Sequence, residues 1–103
     1  MLTLSFQSVA ELFAWAEESR WGPEQRASLD AFLGRFLVLP CDVELARVWA
    51  RVMTHSKRLG RRLESGDAWI AATALHWEIP LLSYDRDFIG LGIQGLDVIC
   101  YAE

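Results

Sequence analysis

The sequence predicts an α/β fold in which a short, mostly parallel sheet is flanked by helices. Three observations carry that prediction. Short apolar runs such as Phe36-Leu-Val-Leu39 and Leu81-Leu82 are bounded by turn residues, as strands are. The longer stretches between them repeat their apolar residues at helical spacing. Helices and single strands also follow one another in alternation, which is the order of parallel layered folds and not of hairpins.

Leu2-Thr-Leu-Ser-Phe6 is β-prone and forms the first predicted strand. Ser8-Val-Ala-Glu11 then fits a capping box, with the serine capping a helix and Glu11 reaching back to it. That helix carries Leu12, Phe13, Trp15 and Ala16 and stops near Trp21-Gly22-Pro23. Pro23 opens a second helix at the position where its missing N–H costs nothing, and Gly34 ends it. Phe36 to Leu39 gives the second strand. Asp42 caps a third helix whose apolar stripe is Val43, Leu45, Ala46, Trp49, Val52 and Met53, fading into the basic run His55 to Arg62.

The stretch Ser65 to Gly95 organises the rest. Ser65 is the expected cap of a helix with Asp67 in its first turn and small Ala71, Ala72 and Ala74 for close packing. Pro80 ends that helix, and Pro80-Leu-Leu-Ser83 reads as a strand buried on both faces. Asp85 and Asp87 follow at the strand's exit, and Leu96 to Cys100 is the last strand. Open α/β sheets bind ligands outside the carboxyl ends of their strands, so an acid at a helix start and two in an exit loop can meet there.

Length bounds the rest of the reading. With 103 residues the chain is expected to be one domain, 1–103, burying roughly 60 to 70% of its unfolded surface. A hydrophobic content of 52% with five tryptophans excludes a disordered chain and favours an oligomer or a partner. The net charge of −4 supplies no overall basic field for nucleic acid, so any such contact must be local. Cys41 and Cys100 make no disulfide framework and lie at no zinc-ligand spacing, and reduced, half-buried thiols are expected. There is no signal peptide and no membrane-spanning run, which makes the cytoplasm the default.

Several segments together resemble a known family. Asp67-Ala-Trp-Ile-Ala-Ala-Thr-Ala-Leu, Ile79-Pro-Leu-Leu-Ser-Tyr-Asp-Arg-Asp-Phe88 and Gly95-Leu-Asp-Val-Ile99 resemble the C-terminal half of PIN domains, especially VapC-type toxins of bacterial toxin–antitoxin pairs. Leu4 to Leu12, Trp15, Gly22 and Val38-Leu-Pro40 look like the family's second strand and the helix after it. The resemblance implies a PIN-like three-layer fold and a Mg2+- or Mn2+-dependent endoribonuclease that hydrolyses RNA phosphodiesters, with a cognate antitoxin as partner. It places the family's acids on Glu11, Asp67 and Asp85, with Asp87 beside them as a metal ligand and Ser83 supporting Asp85. The family's opening strand, ending in an Asp, has no counterpart before Leu2. Lacking the family's first strand, the isolated chain is expected to rearrange, pair with another copy or borrow a strand.

Each of these residues also has a plainer reading. Glu11 closes a capping box, Asp67 complements a helix dipole, and Asp85 and Asp87 make Asx turns. Carboxylates without His or Cys nevertheless suit a hard divalent cation. Lys57, Arg58, Arg61 and Arg62 are either phosphate contacts or a solvated helix end. His55 and His76 lack partners at catalytic spacing, and Trp15, Trp49, Trp69 and Trp77 fit helical packing or an oligomer or antitoxin surface. The competing class is a non-catalytic PIN-like module that binds an antitoxin or self-associates, with a metal-free structural protein behind it.

Overall fold

A computed structural model describes residues 3–83 and 86–100. The chain divides into two compact units, Met1–Pro40 and Cys41–Glu103.

The first unit is built from β1 (Thr3–Ser5), α1 (Phe6–Glu18), α2 (Pro23–Leu33) and β2 (Leu37–Leu39). The two strands run parallel, with Leu4 opposite Val38. The helix begins earlier than its sequence suggests. Ser5, still extended, is the cap, and its Oγ accepts from the Ser8 amide at 3.0 Å. Both serines suit the role, but the strand ends at Ser5 and leaves its hydroxyl at the helix mouth. Glu11 therefore lies in the second turn and closes no capping box. Instead it accepts from Gln7 Nε2 at 3.2 Å. Pro23 and Gly34 bound α2 as expected. Arg26 joins the two helices, donating from Nη1 to Glu17 Oε1 at 2.7 Å and from Nε to the Trp21 carbonyl at 2.9 Å. Ala16, Leu29, Leu39 and Ser5 are the buried residues of this unit.

The second unit holds α3 (Val43–Arg58), α4 (Ser65–His76), β3 (Leu81–Ser83), a single 3-10 turn (Arg86–Phe88) and β4 (Val98–Cys100). Asp42 caps α3, its Oδ1 accepting from the Leu45 amide at 2.8 Å. Leu45, Val48, Val52, Met53 and Ser56 form the buried stripe of α3. Against it lies α4, whose Ala68, Ala71, Ala72 and Ala74 are buried and let the two backbones come close. Burying Leu45, Val48, Val52 and Met53 stabilises the unit by at most about 6 to 12 kcal/mol. Trp49 and Trp69 stack across the two helices at 5.0 Å, and Trp49 Nε1 donates to the Ser65 carbonyl at 3.3 Å.

Ser65 is thus the first residue of α4 and not its cap. Glu64 holds the cap position and its side chain makes no capping bond. β3 and β4 pair parallel, with Leu82 opposite Ile99. The expectation of a strand buried on both faces fails for Leu82, which is 60% exposed, because a two-stranded ribbon covers only one side of itself. Cys41 is an exposed thiol, not a half-buried one, since it precedes the Asp42 cap in a connecting segment. Trp15 and Trp77 are exposed as well, Trp15 by 57%.

Candidate acidic site

The second unit carries several of the expected residues, on α4 and on β3 with the turn that follows it. Asp67 sits in the first turn of α4, half-buried, where the helix dipole favours a negative charge. Ser83 closes β3 and is half-buried. Asp87 lies in the 3-10 turn after it with its side chain exposed. Asp85, the acid between Ser83 and Asp87, lies outside the described residues. Glu11 belongs to the first unit, exposed on α1. Among the described residues no three His, Cys, Asp or Glu side chains gather as a cation-binding group.

The donor chemistry fits a hard divalent ion, because the candidate ligands are carboxylates without thiol or imidazole. Such a set takes oxygen-preferring cations and leaves coordination positions to water.

Lys57 and Arg58 occupy the last turn of α3, where cations complement the dipole, and Arg61 and Arg62 follow it. All four are exposed. Arg61 has a partner within the chain: its Nη2 donates to the Asp87 carbonyl at 3.4 Å. His55, half-buried on α3, hydrogen-bonds through Nε2 to the Leu91 carbonyl. Sequence reasoning missed both contacts, which join residues 26 and 36 positions apart. No local spacing announces them. His76 packs edge-on against Trp77 at 5.4 Å.

The first unit carries a different feature. A groove of about 370 Å3 between α1 and α2 is lined by Leu12, Trp15, Trp21, Leu29 and Phe32 among others, with Trp15 and Trp21 tilted against each other at 5.2 Å.

Helices on short parallel strands with an acid at a helix start and acids beyond a strand's end describe an α/β protein of the PIN type, and residues 2–93 match the PIN domain family. The chain belongs to that family, whose VapC-type ribonucleases are divalent-metal-dependent. It is 40% identical over 62 residues to ribonuclease VapC5 of Mycobacterium tuberculosis, covering 59% of this chain and 46% of that protein. It is 32% identical over 73 residues to ribonuclease VapC4 of the same organism, covering 68% and 56%. The matched segments thus span about half the length of these curated relatives. Among solved structures, the VapBC-5 toxin–antitoxin complex of M. tuberculosis gives a TM-score of 0.77 at 30% identity, covering 93% of this chain and 79% of that one. VapBC2 of Rickettsia felis, solved on a DNA fragment from its promoter, gives 0.83 at 19% identity, covering 95% and 73%, and shows the shared fold. No helix among the described residues is long and apolar enough to cross a membrane.

Proposed function

We propose that the chain is the ribonuclease component of a toxin–antitoxin pair and hydrolyses RNA phosphodiester bonds with a bound Mg2+ or Mn2+. The observation that carries this reading is the likeness to two ribonucleases of the PIN family over 62 and 73 residues. In support, Asp67 stands half-buried at the start of α4, in the same unit as the loop that carries Asp87.

Asp67, Asp85 and Glu11 would hold the ion directly or through water, Asp87 would take an outer position, and Ser83 would orient Asp85. When bound, the ion supplies an activated water and neutralises charge growing on the phosphate. Lys57, Arg58, Arg61 and Arg62 would hold backbone phosphates, which need positive charge and no base sequence. A cognate antitoxin, a second copy of the chain and a cytoplasmic location complete the proposal.

A second reading, the non-catalytic module that binds an antitoxin or self-associates, is favoured by the open apolar groove between α1 and α2. Manganese titration followed by tryptophan fluorescence separates the two, together with RNA cleavage by the wild type and Asp67→Asn. The ribonuclease reading expects a saturable response to manganese and cleavage that Asp67→Asn abolishes. No response at millimolar manganese leaves the binding module.

A further inference from the structure

We infer that His55 and Arg61 are positioning residues for the acidic loop, fixing the backbone that carries Asp87 from two points of the α3 end. The inference rests on the metal-site reading above for its functional meaning, but its structural content stands apart from it.

The loop 86–92 follows β3 and has no ladder partner of its own. Two apolar side chains, Phe88 and Leu91, are buried and plug it into the unit. Two polar side chains then hold its carbonyls. Arg61 donates to the Asp87 carbonyl and His55 bonds to the Leu91 carbonyl, so the clamp grips both ends of the turn. The glycine between is part of the fit. Gly90 has φ +73°, and a Cβ there would stand 3.1 Å from Arg61 Nη1, so the residue must be small both for its backbone and for the guanidinium beside it.

Arg61 is itself held in place. Its amide donates to the Ser56 carbonyl at 2.9 Å, which folds the chain back over the end of α3. His55 precedes Ser56 on the same helix. The clamp is therefore anchored at the end of α3 beside its buried stripe, and it acts on a segment whose Asp87 must be positioned to a fraction of an ångström if it is to help hold a cation. A carboxylate on an unclamped loop would have to be ordered by the ion, and ion affinity would fall by the cost of that ordering.

The test compares wild type, Arg61→Gln, Arg61→Lys, His55→Ala and the Arg61→Gln/His55→Ala double variant. Hydrogen exchange of the amides in 86–92 is followed without metal. Binding of Mn2+ alone is followed by water-proton relaxation, and thermal melting checks that the fold survives. Each of Arg61→Gln and His55→Ala should speed exchange in the loop about three- to tenfold, the equivalent of one hydrogen bond. The double variant should exceed either, and Arg61→Lys, which keeps a charged donor of long reach where the shorter glutamine amide does not, should recover part of the loss. Mn2+ affinity should fall in the same order while the melting temperature moves little. Unchanged loop exchange in the double variant overturns the clamp. Faster exchange with unchanged Mn2+ affinity retains the clamp and overturns its role toward the metal. A wild type that binds no Mn2+ sinks that role together with the metal-site reading, while exchange still decides the clamp.

Discussion

Ser56→Ala probes the joint on which the end of α3 turns. Ser56 is fully buried, its Oγ donates to the Met53 carbonyl at 2.9 Å, and the same Oγ accepts from the Leu63 amide at 3.2 Å. Alanine keeps the shape of the site and removes only the hydroxyl. The Met53 carbonyl retains its place in the ladder of α3, but the Leu63 amide, buried with its side chain, loses its acceptor. An amide stranded in this way costs about 1 to 3 kcal/mol. A loss of about 2 kcal/mol corresponds to roughly a thirtyfold smaller folding constant and, at this chain length, to a melting temperature lower by about 8 to 16 °C. Urea unfolding followed by circular dichroism measures the loss directly, with an unchanged slope showing that the unfolded state is not altered. A destabilisation below about 0.5 kcal/mol would mean that water or a shifted backbone satisfies the amide, and the account of Ser56 as a joint would be wrong.

The other predictions are smaller in scope. Ala72→Leu forces an isobutyl group into the packing around α4, where Ala72 is fully buried, and should cost about 1 to 3 kcal/mol or more by thermal denaturation. Asp42→Ala removes the acceptor of the Leu45 amide and should cost about 1 kcal/mol, seen as a lower urea midpoint. Glu11→Ala should leave stability within about 0.5 kcal/mol, because Glu11 is exposed and caps nothing, yet it should weaken Mn2+ binding in the same relaxation assay if it is a ligand. Gly90→Ala places a side chain in left-handed backbone beside Arg61 and should destabilise the loop by about 1 kcal/mol or more, visible as faster amide exchange in 86–92.

What the sequence disclosed was local. Gly34 and Asp42 bound helices through bonds to neighbours a few positions away, and Pro23 through its fixed φ and missing N–H, so their roles can be read without a structure. Asp67 does stand in a first turn, as the Ser65 cap implied, although the helix starts one residue earlier than that cap required. Where two local solutions compete, the reading failed. Ser8 and Ser5 are both adequate caps, and the length of β1 decides between them. Ser65 lost its expected role to Glu64, and its carbonyl takes a bond from Trp49 on another helix. The apolar run at Leu82 looked buried because periodicity reports hydrophobicity and says nothing of how many strands a sheet has. The clamp of His55 and Arg61 left no trace in spacing at all, since tertiary folding alone brings those residues to the loop.

Leu82 and Ile99 stand as one rung of the β3–β4 ribbon, and both show much of their surface to water. A pair of branched hydrocarbons side by side makes an apolar spot whose association the mutual repulsion of molecules carrying a net charge of −4 opposes. Sulfate screens that repulsion and strengthens the pull between apolar surfaces together. That rung is therefore one of the places where salting-out of this protein can begin.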